Sequence, residues 1–459
     1  MRRADRNGTA GEREVGRAGD ARLLHRPATA NSYPTRWLWS RLDVACLGVF
    51  DRPHSTPVIV DHGAYLARSQ DVRSGVFRAE LAARVSEGIY RDRTARAEPR
   101  RGDLLYSREG TYFGIAAEVP PGMQVCLGQR MVLIRPNPEI VDFRFLRHWL
   151  NSPTMSAHIQ GYRDGSVAER LNLPTIRALP VAIPPHREQR AIAHILGTLD
   201  DKIELNRRMN ETLETMARAL FKSWFVDFDP VRAKAEGRDP GLPKPVAGLF
   251  PDSFEDSELG ERPKGWHVGA VSDEFDLTMG QSPPGETYNE SGEGVPFYQG
   301  RADFGFRYPT RRVYCTAATR FAAPGDALIT VRAPVGDINM AREVCAVGRG
   351  VAAARHKTAS RSYSFQFMRS LGPVFVRFEA EGTVFGSIGK DDFHSIPCVI
   401  PPRKVIEQFE KHVSPLDSRV EVNERDSAAL AALRDTLLPK LLSGEIRLKD
   451  VERQVDAVL

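Results

Sequence analysis

Cysteine is scarce: five residues in 459 (Cys46, Cys126, Cys315, Cys345 and Cys398), none in CxxC spacing and none beside a histidine at metal-ligand distance. That excludes a disulfide scaffold and a zinc knuckle, and predicts reduced, mostly buried thiols in a cytoplasm. Long apolar runs are missing too. No stretch approaches the roughly 20 residues that span a bilayer. The charged start MRRADRNGTAGEREVGRAGDAR has no apolar segment behind it, so it does not read as a secretory signal. Catalytic signatures are equally thin. The nearest approach to the Asn/Asp-Pro-Pro-Phe/Tyr motif of amino-methylating enzymes is Arg135-Pro136-Asn137-Pro138-Glu139, which fails it. Gly348-Arg349-Gly350-Val351-Ala352-Ala353 imitates a dinucleotide loop, but no βαβ pattern with a downstream acid surrounds it. Phe385-Gly386-Ser387-Ile388-Gly389-Lys390-Asp391 lacks Walker spacing, no nuclease-like Asp…Glu-x-Lys set emerges, and eleven scattered histidines form no ligand pair. The expectation is a non-catalytic chain that itself binds no metal and no cofactor.

What is present begins with bulk. The length, with 41% hydrophobic and 27% charged residues, suits two or more packed domains. The net charge of +5 is only mildly basic, and its distribution says more. Between residues 301 and 335 stand Arg301, Arg307, Arg311, Arg312, Arg320 and Arg332 against Asp303 and Asp326, interleaved with Phe304, Phe306, Tyr308, Tyr314 and Phe321. Arginines so clustered suit phosphate and guanine contact, although solvated or salt-bridged arginines would look the same.

The strongest feature is an internal repeat. Residues 165–206 align without a gap on residues 382–423: Gly165 on Gly382, Val167 on Val384, Ile183-Pro184-Pro185 on Ile400-Pro401-Pro402, Asp200 on Asp417 and Asn206 on Asn423. Upstream, Arg101-Gly102-Asp103-Leu104-Leu105 answers Pro324-Gly325-Asp326-Ala327-Leu328, and Val125-Cys126 answers Val344-Cys345. An ordered series of this length indicates a duplicated globular unit followed by a helix. Turns entering runs such as GDLLYSREG, GDALITVRAP and MVLIRP predict strands, and 143–152 and 364–372 predict short helices, so each globular part is expected to be α+β and largely sheet.

After each Ile-Pro-Pro the apolar period becomes about 3.5 residues, that of a coiled coil. The first seam is Ile192, Leu196, Leu199, Ile203, Asn206, Asn210, Leu213, Ala217, Leu220 and Trp224. The second is Phe409, Val413, Leu416, Val420, Asn423, Ser427, Leu430, Leu437 and Leu441, broken at Arg434 with Leu433 beside it. Matched central asparagines point to two long antiparallel helices packed on each other; two unrelated amphipathic helices are the plainer alternative. The organisation is therefore 1–35 an unplaced Arg-rich extension, 36–184 a first globular domain, 185–228 a helix, 229–264 a linker, 265–402 a second globular domain, 403–446 a helix and 447–459 a tail. The linker's LFPDSF is expected to dock as a small apolar patch. Seams of about 33 residues span roughly 50 Å, against about 34 Å for a turn of B-DNA. Two dissimilar readers so spaced would suit a split, asymmetric site.

This pattern resembles the specificity subunit of Type I restriction–modification systems. The resemblance rests on the strand-turn Gly-Asp-Leu/Ala-Leu, the Gly-Ser/Thr-Val, and Ile-Pro-Pro leading to Arg187-Glu188-Gln189. It continues through Leu199-Asp200-Asp201-Lys202-Ile203 and the run Ala219–Phe228. Ser257-Glu258-Leu259-Gly260, Pro263-Lys264-Gly265-Trp266 and the ending Leu437–Ile446 complete it. It covers about residues 55–450. It implies two target recognition domains, double-stranded DNA as ligand, two modification subunits docked on the helices and added restriction subunits. S-adenosylmethionine, ATP and Mg would then belong to those partners and not to this chain. Candidate DNA-binding residues are Arg68, Gln70, Arg73, Arg108 and Arg163 in the first domain, and Gln281, Tyr298, Gln299, Arg301, Arg332 and Lys390 in the second. The first domain opens on Leu42-Asp43-Val44 and Ser55-Thr56-Pro57 and reads as shorter than the second. Residues 1–35 read either as an arm against DNA or as the product of a start codon assigned too early. Two further readings stay open: a specificity subunit for a methylation-only system, and a partner-recruiting scaffold whose first domain has degenerated.

Overall fold

The computed structural model describes residues 33–51, 55–110, 112–161, 170–381 and 386–446. The chain is mixed α and β and divides into two compact units: Met1–Ile203 with Ala428–Leu459, and Glu204–Ser427. No helix among the described residues is long and apolar enough to cross a membrane. All five cysteines are free and buried, and burial pushes the Cys126 thiol up to about 11.

Unit 1 is built on an antiparallel sheet of β1 (Cys46–Asp51), β2 (Leu104–Ser107), β3 (Ala116–Glu118) and β4 (Met131–Pro136), in the order β1-β4-β2-β3. The inner strands β2 and β4 read as unbroken apolar runs because both faces are covered. Leu104, Tyr106, Val132 and Ile134 enter the core that holds α1 (Phe143–Leu150). Their alternates Leu105, Met131 and Leu133 pack on a three-stranded sheet of Ala83–Val85, Ala64–Ala67 and Val125–Leu127. Asp142 caps α1 by accepting from the Arg144 and Phe145 amides at 2.9 and 3.0 Å.

The opening of unit 1 is better formed than the sequence suggested. Leu38–Arg41 pairs antiparallel with Pro180–Ile183, and a short helix, Leu42–Ala45, leads into β1. Trp37 Nε1 and Arg36 donate to Glu188 at 3.3 and 2.8 Å. Unit 2 opens on the same elements: His267–Ala270 pairs with Pro397–Ile400, Val271–Glu274 turns, and β5 (Phe275–Met279) follows. Pro34-Thr35-Arg36-Trp37 stands where unit 2 has Pro263-Lys264-Gly265-Trp266, with only the Pro and the Trp in common.

β5, β6 (Ala327–Val331), β7 (Val335–Met340) and β8 (Val351–His356) form the unit 2 sheet in the order β5-β8-β6-β7. Its inner strands also bury both faces, one toward α3 (Arg361–Ser370) and one toward a five-stranded sheet. Residues 229–264, of linker composition, carry the short helices Asp229–Ala235 and Lys244–Ala247. Val231, Val246 and Phe250 belong to the unit 2 core, with Phe250 and Trp224 ring centroids 5.1 Å apart. This segment is part of the folded unit, a correction that composition alone could not supply.

The long helices start where Pro184-Pro185 and Pro401-Pro402 end an extended segment: α2 spans His186–Phe225 (40 residues) and α4 spans Arg403–Ser443 (41 residues). In unit 1, Ile192, Leu196 and Leu199 share a core with Leu430, Leu437 and Leu441, each worth about 1.5–3 kcal/mol of burial. Arg434, which breaks the seam on paper, sits against α2 instead: its Nη1 donates to Asp200 at 2.8 Å. In unit 2, Phe221 and Trp224 meet Phe409 at centroid distances of 5.7 and 6.1 Å, and Asn423 Nδ2 donates to Asn210 Oδ1 at 2.8 Å. Asn206 Nδ2 reaches the Asn423 carbonyl at 3.4 Å and Ser427 Oγ at 3.3 Å. Partner numbers fall on one helix as they rise on the other, so within each unit the helices run antiparallel. Leu213, Leu220 and Leu416 lie half-buried beside the seam, as Ile203 does. Glu214 and Phe221 take the buried places on α2.

Candidate nucleic-acid interface

The repeated Gly-Asp has a structural job. Gly102 and Gly325 turn with φ of 91° and 89°, a region glycine enters freely. The aspartates that follow each grip an arginine across the sheet: Asp103 holds Arg135 at 2.9 and 2.7 Å, and Asp326 holds Arg355 at 2.7 and 2.9 Å. These arginines tie the near end of each sheet and are committed there.

The arginine-rich stretch 301–335 largely dissolves into such struts. Arg307 is 1% exposed, pairs with Glu214 on α2 and with Asp417 on α4 at 2.7 Å, and lies 4.0 Å over the Phe365 ring. Burial works against its charge, and the two carboxylates outweigh burial, so its pKa stands above the usual value. Arg311 is held by Glu343 at 2.6 and 2.8 Å, Arg312 by Asp303 at 2.7 Å, and Arg301 by Asp337. Arg320 and Arg332 are exposed, and no ion pair of either is found among the described residues.

The other end of the unit 2 sheet gathers several candidates. The turn Gly348-Arg349-Gly350 joins Cys345–Val347 to β8. The backbone N–H of Gln281 donates to Val347 O at 3.0 Å, that of Gly348 to Tyr298 O at 2.8 Å, and that of Val331 to Gly350 O at 2.9 Å. Arg332 bridges Ser387, and Gly389 precedes the short helix begun by Lys390. Exposed Gln281, Gln299, Arg332 and Lys390 thus border one turn end. Arg301 is exposed but engaged. Tyr298 is 3% exposed and packed among Leu328, Val347 and Val351, with burial raising its phenol pKa, so it cannot reach a base. It is corrected to a core residue: its strand is buried on both faces, and Gln299 lies exposed just beyond the strand's end.

In unit 1, Gln70 and Arg73 are exposed; Arg73 Nε donates to Gln70 O at 3.1 Å and its guanidinium lies 5.1 Å from the Tyr112 ring centre. Arg68 is fastened to Asp71 at 2.9 and 3.0 Å and to Leu81 O at 2.9 Å. Arg108 is 5% exposed and faces Asp51 at 3.4 Å. Both are corrected to structural ties: the half-buried Arg68 guanidinium is held by Asp71 and Leu81 O, and that of Arg108 is buried against Asp51. Arg163, with the Gly-Ser/Thr-Val segments, lies outside the described residues. Sequence reasoning passed over Arg349, having weighed its glycines only as a cofactor loop. No group of three or more His, Cys, Asp or Glu able to hold a metal is found among the described residues.

Comparison with known proteins bears on this arrangement. Residues 97–215 match the family described as the Type I restriction modification DNA specificity domain. The putative type I restriction enzyme MjaX specificity subunit of Methanocaldococcus jannaschii is 29% identical over 76% of this chain and 79% of its own length. The HindI specificity subunit of Haemophilus influenzae is 25% identical over 76% and 87%. The Type-I restriction-modification S subunit from M. genitalium is 15% identical over 88% of this chain and 96% of that one, with a TM-score of 0.51, a likeness of fold. The matched domain, the curated relatives and the internal repeat agree in making this chain similar to the specificity subunits of Type I restriction–modification systems.

Proposed function

We propose that the chain reads an asymmetric, two-part DNA sequence, one half through each unit, and docks the subunits that act on it. Units 1 and 2 are taken as two copies of one reader joined by the antiparallel pair α2 and α4. The observation that carries this reading is that both units build the same sheet order but carry different side chains at its turn end. Where unit 2 has Arg332 bridging Ser387, unit 1 has Glu109 bridging Arg170; where unit 2 turns on Arg349, unit 1 turns on Gln129. A common frame with divergent tips is what two different half-sites require, because base edges are read by side chains and the backbone is merely positioned.

Modification subunits, expected in two copies, and restriction subunits are the partners in this reading. S-adenosylmethionine, ATP and Mg are assigned to them. The alternative of a scaffold with a degenerate first domain is disfavoured by the paired strand, short helix and β1 that open unit 1.

The test is a map of methylated adenines in a methylation-free host carrying this chain and its modification subunit. The expected outcome is a split, asymmetric motif lost when this gene is left out. A stable complex that leaves no mark would overturn the reader and favour the scaffold. Cleavage of unmarked DNA only when a restriction subunit is added would separate a restricting system from a methylation-only one.

A further inference from the structure

The Gly348-Arg349-Gly350 turn is shaped by backbone contact and not by its side chains. A Cβ on Gly350 would stand 2.2 Å from Gln299 O, and one on Gly280 2.1 Å from Gly348 O. Side chains are excluded at these places, so the backbones of three segments close to a distance only glycine permits. The turn is further held by Val351 N donating to Gly348 O at 2.9 Å and by Arg349 N donating to Ser282 Oγ at 3.3 Å. Between the two glycines the one side chain left is Arg349. It is exposed, and no carboxylate partner is found for it among the described residues, unlike Arg301, Arg311 and Arg312 nearby. Gln281 and Gln299, both exposed, flank it through the segments that fix the turn, the Gln281 Oε1 accepting from Thr319 Oγ1 at 3.4 Å while no partner for its Nε2 is found among the described residues.

A free guanidinium on a rigid tip, with primary amides at either side, is suited to one kind of surface. Arginine pairs bidentately with guanine O6 and N7, and glutamine with adenine N6 and N7, both in the major groove. A phosphate contact would not need the rigid mount, since it tolerates a mobile side chain. Unit 1 shows the contrast. Its turn Gly128-Gln129-Arg130 is closed by Gly128 N on Ala67 O at 2.7 Å, but Gln129 Nε2 is spent on Thr56 Oγ1 at 2.8 Å and Arg130 on Glu109 at 3.3 Å.

We infer that Arg349 is a specificity-determining residue that reads one guanine in the half-site of unit 2, an inference that rests on the reading of the chain as a bipartite DNA reader. The experiment is methylation mapping of the whole chain with its modification subunit, comparing wild type, R349A and R349Q. Each variant is first checked for co-purification with that subunit and for an unchanged melting temperature. Expected is a G·C pair in one half of the wild-type motif that becomes degenerate in R349A, with discrimination there falling about 5- to 150-fold. In R349Q the same position should shift toward A·T, while the other half of the motif stays intact. An unchanged motif in both variants overturns the inference and leaves the bipartite reader standing. So does an even loss of marking at all sites, which would make Arg349 a phosphate contact. A wild-type chain that directs no mark overturns the underlying reading, and the inference with it.

Discussion

His148 on α1 is buried in unit 1, with Nε2 3.1 Å from Arg147 Nη2 and 3.9 Å from Asp200 Oδ2. Burial first, then the charges of Arg147, Arg434 and Arg144, hold its pKa well below 6.5. It is therefore neutral in the fold and takes up a proton only when the chain unfolds. With the unfolded state binding the extra proton, stability must fall as pH drops below about 6.5, by up to about 1.4 kcal/mol per pH unit for one group. Urea midpoints of unit 1 measured from pH 7.5 to 5.5 should show this loss, and His148→Gln, which keeps an acceptor for Arg147, should flatten it. Equal slopes in both proteins would assign the acid sensitivity elsewhere. The same residues mark a limit of sequence reading. Arg147 and Arg307 look like their exposed neighbours on paper, and only the fold brings Asp200 and Asp417 beside them. Among the described candidates, Arg108 and Tyr298 proved buried and the half-buried Arg68 is tied to Asp71, whereas Gln281, Gln299 and Arg332 are exposed.

At the scale of elements, periodicity exposed the long helices because their apolar positions recur every three or four residues. What it could not expose is the change of phase along α2. Buried positions run 206, 210, 214, 217, 221 and 224, with two steps of four in succession, and such a stutter locally unwinds a coiled-coil seam. It carries a carboxylate into the interior at Glu214, tolerable because Arg307, Arg369 and Gln366 converge on it. Within unit 2 the asparagines next to this stutter are matched to each other. Replacing Asn423 alone by leucine strands the Asn210 amide and should cost about 1–3 kcal/mol. Replacing Asn210 and Asn423 together removes both ends of the hydrogen bond, and should cost less than the sum of the single changes. Denaturant midpoints of the four proteins in the cycle decide it; strictly additive losses would deny the pair any joint role in register.

The whole molecule inverts the order of its chain. Unit 2 is one continuous stretch, Glu204–Ser427, while unit 1 must borrow Ala428–Leu459 from the far end. The repeat made two units legible, but the borrowing was not, since it depends on which stretches of α2 and α4 meet. Leu430, Leu437, Leu438, Leu441 and Leu442 are all buried in the unit 1 core with Tyr33, Trp37 and Ile192. At about 1.5–3 kcal/mol for each side chain, their sum is comparable to the 5–15 kcal/mol or so by which a domain of this kind is stable. A chain ending at Ser427 should therefore lose unit 1 and keep unit 2, whose core draws on residues from Ala217 to Val413. Hydrogen exchange separates the two. Amides of Leu104–Ser107 and Met131–Pro136 should become fast in the truncated chain, and those of Ala327–Val331 and Val351–His356 should stay slow. Were all four strands to remain protected, the C-terminal leucines would be dispensable to unit 1. Were all four to exchange together, the two units would unfold as one, and the separate cores would not be separate in energy.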